Sequence, residues 1–523
     1  MKRALGPILL AALAAASAQT PAPTRPKLIL VLMVDQFRID YFTRFGPVYN
    51  GGLARLWNEG AVFTNAHQDH FPTVTAIGHA TILTGAPPSV SGIIGNEWYD
   101  RESGKQVTSV SDDSMKLLGG GSRAAASPRR LLVSSLGDQL KMSGRGRHKV
   151  IGISFKDRSA ILPGGRMADA AYWFDNRSGN FVSSTYYFPE VPEWVAQFNR
   201  GRTADRFLGA EWTPIEAGAS NHVAQPFRKM LAAAGPDYYA ALQSTPYGNE
   251  LLELFIEQAI EHEQLGRGEP DVLAISFSSN DYIGHEHGPD SPQVRDISIR
   301  TDRLLARLFR LLDQRVGMKN VLVVMSADHG VAPMPELMQQ RRMPGGRIPE
   351  QAVEEKVQQR LTALYGEGKW VVGTTGPAPY LNLELIRQKS LDAAEVRRRA
   401  AEAAREIPHM LRVYTLDQVQ AGHLLDDMID RRIRNGFHAG RASDLFVVAE
   451  PYWLFEDRGT SHGSPFHYDS HVPLVFLGGG VRAGRYHRRT SIIDVAPTLA
   501  AMFDVESPSG SSGRVLEEML GGR

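Results

Sequence analysis

The chain has no cysteine among its 523 residues. This excludes a disulfide-stapled fold, a thiolate nucleophile and cysteine-bound metal, so stability must come from a packed core and from any bound ions. An excess of one charge is also missing: 58 Lys+Arg stand against 57 Asp+Glu, with the signs mixed along the chain. No basic arm is present, and no stable nucleic-acid partner is expected. After the first 18 residues no comparable apolar run recurs, so nothing downstream has the length of a membrane span.

Met1–Ala18 reads MKRALGPILLAALAAASA: a basic start, a short apolar middle and a small-x-small end. This pattern predicts a signal peptide over residues 1–18, cleaved before Gln19, and an exported protein without a transmembrane anchor; in a bacterial host that means the periplasm. Loss of Lys2 and Arg3 with it takes the formal charge from +1 to -1. Residues 19–26 carry three prolines and read as a flexible leader. With 42% hydrophobic residues, 27–523 can build one large catalytic body, with insertions expected around 160–268 and 332–442.

The stretch around which the chain is organised is Phe71–Gly85, FPTVTAIGHATILTG. Pro72 biases Phe71 towards extended backbone, and Thr75 can begin or cap a helix through Leu83. A phosphate at that helix start would meet unpaired backbone N–H groups. Taken alone, Thr75 is a cap or turn residue. What changes its meaning is a repeated pattern elsewhere: a strongly apolar run followed at once by acid or imidazole. Leu28–Val34 ends at Asp35; Asp271–Ser276 precedes Asp281 and His285; Asn320–Ser326 precedes Asp328 and His329. Continuous apolar runs suit a parallel sheet covered on both faces, with functional groups beyond the strand C-termini. Asp281 and His285, four apart, can share a helical turn in a spacing compatible with Zn2+ coordination. His462, between Ser461 and Gly463, is the best further imidazole, with His438, His467 and His471 as nearby alternatives.

Three further stretches bear on the chemistry. Asn96 follows a glycine-rich turn and has an amide that can donate to a phosphate oxygen. Lys156 and Arg158, read as alternating positions on extended chain after Val150–Phe155, would point the same way and clasp a dianionic phosphoryl group. Ala170–Phe198 is rich in aromatics and reads as short extended pieces or an inserted cap, unlike a regular strand-helix unit; Trp173, Tyr186, Tyr187 and Trp194 either line a leaving-group site or pack the insertion.

Taken in order, LMVD at Asp35, PTVTAIGH at Thr75, GN at Asn96, FKDR at Lys156 and Arg158, NDYIGH at Asp281 and His285, ADHG at Asp328 and His329, and SHG at His462 resemble the alkaline phosphatase superfamily. The resemblance is to its exported bacterial branch with a threonine nucleophile, related to the nucleotide pyrophosphatase/phosphodiesterases. It implies an α/β fold with a central, mostly parallel sheet flanked by helices. It implies two Zn2+ ions, one held by Asp281, His285 and His462 and the other by Asp35, Asp328 and His329, with Thr75 approaching the latter. It also implies Thr75 as nucleophile, phosphate contacts from Asn96, Lys156 and Arg158, and small phosphate monoesters as substrates. A nucleotide pyrophosphatase/phosphodiesterase is the main alternative, and a noncatalytic exported metal-binding protein a further one. Sulfatase-like chemistry needs a cysteine or serine converted to formylglycine.

Overall fold

The computed structural model describes residues 25–121, 124–215 and 226–520. The expected signal peptide over 1–18, and all of the leader except Arg25 and Pro26, lie outside the described residues. No helix among the described residues is long and apolar enough to cross a membrane.

Eleven strands form one sheet: β1 (Leu28–Val34), β2 (Ala61–Phe63), β3 (Ser111–Leu118), β4 (Ala124–Ala126), β5 (Val150–Ser154), β6 (Ala170–Asp175), β7 (Asn180–Ser184), β8 (Asp271–Phe277), β9 (Val321–Ser326), β10 (Leu474–Gly478) and β11 (Gly484–Tyr486). Their order is β11-β2-β10-β9-β1-β8-β5-β6-β7-β3-β4. The five central strands β9, β1, β8, β5 and β6 run parallel. Their inner members are apolar on both faces, and every residue of β1 and β8 is buried, as helical cover on both sides requires. Antiparallel partners β10 on one side and β7, β3 and β4 on the other make the whole sheet mixed. The parallel expectation thus describes its centre.

Two sequence readings need correction. The aromatic stretch at 170–198 begins as extended pieces, as one reading has it, but not as a cap: Ala170–Asp175 and Asn180–Ser184 continue the central sheet as a strand pair, and Tyr172, Phe174 and Phe181 join the main core. The glycine cluster Gly119–Gly121 of the sequence, with Met115–Leu118 before it, reads as an exposed connection, but Met115–Leu118 lies in β3. Residues between 335 and 454 build separate small sheets and hydrophobic clusters of their own, including Val353, Trp370, Val396 and Leu445.

Four helices matter for the site: α1 (Thr75–Thr84), α2 (Asp157–Gly164), α3 (Ser279–His287) and α4 (Pro292–Arg315). Close backbone approach sets two of them. A Cβ on Gly78 of α1 would stand 2.4 Å from the Asp328 carbonyl oxygen. A Cβ on Gly152 of β5 would stand 1.8 Å from the Ala160 carbonyl oxygen of α2. Only glycine lets these segments lie so close.

Candidate active site

The C-terminal ends of the parallel strands deliver the expected residues to one place. Asp35 follows β1, Asp281 sits in the first turn of α3 after β8, and Asp328 and His329 follow β9. All four are buried. Thr75 is the first residue of α1, with Val74 as the extended residue before it. Its Oγ1 lies 3.3 Å from His329 Nε2 and 3.4 Å from Lys156 Nζ.

Three imidazoles share one hydrogen-bonding scheme. His285 Nδ1 faces the Thr460 carbonyl at 2.8 Å, His329 Nδ1 the Gly330 carbonyl at 2.9 Å, and His462 Nδ1 the Thr73 carbonyl at 2.8 Å. A carbonyl only accepts, so each Nδ1 carries the proton, and in the neutral ring Nε2 presents a lone pair. Those lone pairs meet carboxylates. His329 Nε2 lies 3.6 Å from Asp35 Oδ1 and 3.4 Å from Asp328 Oδ2. Asp281 Oδ1 lies 3.2 Å from His285 Nε2 and 3.7 Å from His462 Nε2. Ligand atoms of Asp35, Asp328 and His329 all fall within 4.8 Å of one another, as do those of Asp281, His329 and His462. Lone pair against carboxylate is repulsive unless a metal ion or a proton lies between them. Asp35 Oδ1 is buried and accepts no hydrogen bond. The oxygen and nitrogen donor set suits a zinc-like dication, so the residues fit metal.

The electrostatics show how tightly the charges are packed. Burial, and then the charges of Asp281 and Asp328, push the Asp35 carboxyl well up from its ordinary range. Burial works the same way on Asp281, but Lys156 and His285 overcome it and hold that carboxyl far down. Burial also opposes the Lys156 ammonium, which Asp281 and Asp35 nevertheless keep charged. Burial and the neighbouring His329 and His285 push His462 well below the usual imidazole range, keeping it neutral.

Lys156 and Arg158 do not form the parallel clasp that their spacing suggests. The strand ends at Ser154, Lys156 caps α2, and Arg158 belongs to the first helical turn. Lys156 Nζ is buried between Asp35 Oδ2 and Asp281 Oδ2, 2.6 Å from each. Arg158 instead lines the cleft, its Nε buried without a hydrogen-bond partner. The start of α1 also differs from expectation. Ala76 N–H donates to Asn96 Oδ1 at 2.9 Å, and the Ile77 and Gly78 amides donate to the Val74 carbonyl. These donors are engaged, so the helix start is not an open anion nest. The bond to Ala76 fixes the Asn96 amide with its NH2 free to donate, and Asn96 lines the same cleft.

The family model for type I phosphodiesterase / nucleotide pyrophosphatase matches residues 29–471. The chain belongs to this family. It is 34% identical to alkaline phosphatase PafA of Elizabethkingia meningoseptica over 96% of each chain, and 35% identical to alkaline phosphatase PhoV of Synechococcus elongatus over 95% of this chain and 93% of that one. A Myroides odoratus protein bearing the name calcium-transporting ATPase is 35% identical over 95% of each chain. A crystal structure of wild-type PafA superposes with a TM-score of 0.88 at 33% identity, covering 96% of this chain and all of that one.

In this member of the phosphodiesterase family the cleft beside Asn96, Arg158, His285 and His462 encloses about 640 Å³. Its apolar wall comes from Phe71, Phe446, Trp453, Phe455 and Phe466. Trp173, Tyr186, Tyr187 and Trp194 take no part in it: Trp194, for instance, packs against Phe255 and His262. Sequence reasoning missed Gln36. Its Nε2 donates to Asp281 Oδ1 at 2.7 Å and its N–H to Asp328 Oδ1 at 3.2 Å, so one residue ties carboxylates from two strands. Only its place directly after Asp35 hinted at it; in the fold Gly284 on α3 makes room for it, since a Cβ there would meet Gln36 Oε1 at 1.7 Å.

Proposed function

We propose that this protein is an exported alkaline phosphatase that hydrolyses small phosphate monoesters through a phosphothreonine at Thr75. The observation that carries this reading is the position of Thr75 Oγ1, at a helix start, within 3.4 Å of both His329 and Lys156 and beside the cluster of Asp35, Asp281, Asp328, His329 and His462, with His285 paired to Asp281. The names of PafA and PhoV, each matched over more than nine-tenths of its length, support the monoester class.

Asp281, His285 and His462 would hold one Zn2+, and Asp35, Asp328 and His329 the other, with Thr75 beside the second. When bound, such a pair lowers the pKa of a nearby hydroxyl and neutralises charge on a leaving oxygen. Thr75 Oγ1 attacks phosphorus: a threonyl O–P bond forms, the ester O–P bond breaks, and the alcohol departs with a proton. Water then cleaves the phosphothreonine, restoring the Thr75 hydroxyl and releasing inorganic phosphate. Asn96 donates its NH2 to a nonbridging oxygen, and Arg158 offers its unpaired Nε–H from the cleft wall. Lys156, 3.4 Å from Thr75 Oγ1, holds positive charge where the phosphoryl group arrives.

A nucleotide pyrophosphatase/phosphodiesterase is the second reading, favoured by the family description and by an apolar cleft wide enough for a second ester group. Steady-state kinetics on matched monoester and diester substrates with zinc-loaded protein decide between them. The expected result is a higher kcat/KM for the monoester and its loss in Thr75→Ala. A diester preference would overturn the class, and unchanged turnover in Thr75→Ala would overturn the nucleophile. For export to the periplasm, N-terminal sequencing of the secreted chain should begin at Gln19; a chain still beginning at Met1 would contradict cleavage.

A further inference from the structure

Three histidines that the catalytic reading does not use meet elsewhere in the fold. The short strand Ala66–His67 pairs antiparallel with His471–Val472, and His67 stands directly opposite His471. His467 opens the helical turn His467–Ser470, four residues before His471. The His67 and His471 rings stack with centroids 4.5 Å apart, and His467 meets His67 edge-on at 5.2 Å. One ring nitrogen from each of the three lies within 4.8 Å of the other two.

The hydrogen bonds say which nitrogens are free. His471 Nε2 lies 3.0 Å from the Thr64 carbonyl, which can only accept, so the proton is on Nε2 and Nδ1 presents a lone pair. His67 Nε2 lies 2.8 Å from Asn65 Oδ1 and is the donor there, which again leaves Nδ1 unprotonated. His67 is 2% exposed, and its Nδ1 is buried without a hydrogen-bond partner. An imidazole with one N–H anchored on an oxygen and its other nitrogen left unprotonated beside further imidazoles is how proteins prepare a metal ligand. The catalytic histidines show the same preparation with the two nitrogens exchanged.

We propose that His67 Nδ1, His471 Nδ1 and a ring nitrogen of His467 form a third divalent-cation site, apart from the catalytic pair, with water completing the coordination. Three neutral nitrogen donors select a borderline ion such as Zn2+ over Mg2+ or Ca2+, which require oxygen ligands. Arg432 and Arg489 face the cluster and oppose a cation, whereas Asp69 pairs with both. The ion therefore binds through its nitrogen bonds and against a residual positive field. His67 lies eight residues before Thr75, and His467 five after His462. A bound ion would clamp together the two stretches that deliver the nucleophile and a catalytic ligand.

The test compares zinc content of the full-length wild type with His467→Ala and His471→Ala. Each protein is stripped with chelator, dialysed to equilibrium against micromolar free Zn2+ and analysed by elemental mass spectrometry. His467 is exposed, so its replacement leaves the core intact. The expected result is one zinc per chain fewer in each variant, a smaller zinc-induced rise in Tm, and unchanged monoester turnover at saturating zinc. Equal zinc content in all three proteins would overturn the site. The comparison counts ions between proteins that share the same catalytic residues, so it stands whether or not the phosphatase reading does.

Discussion

Gln36 occupies left-handed backbone, φ 65°, directly after the first strand, and from there reaches Asp281 and Asp328 at once. Its amide orients Asp281 without being a ligand itself. Gln36→Asn keeps a residue that tolerates the left-handed conformation but shortens the side chain, so the bond to Asp281 is lost while the backbone bond to Asp328 stays. Partners behind metal ligands typically contribute about 10- to 100-fold in affinity, and a zinc affinity weakened by that order is expected in a chelator competition. An unchanged affinity would show that Asp281 is held by its other neighbours alone. Glutamine carries no chemistry that marks it in a sequence, which is why Gln36 was not legible while Asp35 beside it was. Lys156 was legible as a site residue but not in its placement, because the turn from β5 into α2 rotates it away from Arg158 and towards the buried carboxylates.

At the scale of elements, the site depends on α1 lying hard against the turn after β9. Gly78 makes that contact possible: an added Cβ would stand 2.4 Å from the Asp328 carbonyl oxygen and 2.5 Å from its Cα, both backbone atoms that cannot swing away. Gly78→Ala gains up to about 1 kcal/mol in helix propensity. Overpacking against fixed backbone costs about 1–3 kcal/mol and moves Thr75 relative to Asp328. We expect a lower Tm and a fall in kcat/KM together; a variant more stable than wild type with full activity would refute the close approach. The elements around the site were the readable ones. Leu28–Val34, Asp271–Phe277 and Val321–Ser326 are buried on both faces and therefore appear as unbroken apolar runs ending in acid or histidine. Strands β3 and β7 lie towards the antiparallel side and carry Ser, Asp, Lys and Asn, so their sequences do not announce membership of the same sheet. Hydrophobic periodicity loses β3 because it is only partly covered, and β7 because its buried positions include the polar Ser183 and Ser184.

Across the whole molecule, the site is assembled from segments nearly as far apart as the chain allows, and a few buried polar contacts hold those segments in register. Asp469 is one such contact. Ser464 donates to its Oδ2 from N–H at 2.8 Å and from Oγ at 2.5 Å, while its own backbone carbonyl accepts Gly330 N–H, linking the His462 segment to the Asp328–His329 turn. Burial raises its carboxyl from 3.8 to about 7, against the lowering effect of the Ser464 bonds. The folded state therefore holds a proton that the unfolded state releases. As pH rises from about 4 through 7 the unfolded chain binds fewer protons than the native one, and stability falls; above both values the loss is complete, with an upper bound of about 4 kcal/mol. Asp469→Asn keeps an oxygen that accepts both Ser464 bonds but cannot ionise. Denaturant unfolding of wild type and variant should show the variant gaining on wild type between pH 5 and pH 8. Titration of the zinc ligands is common to both proteins and cancels in the difference. A difference independent of pH would mean that Asp469 is ionised throughout, and that its charge is compensated in the fold by more than the two Ser464 donors.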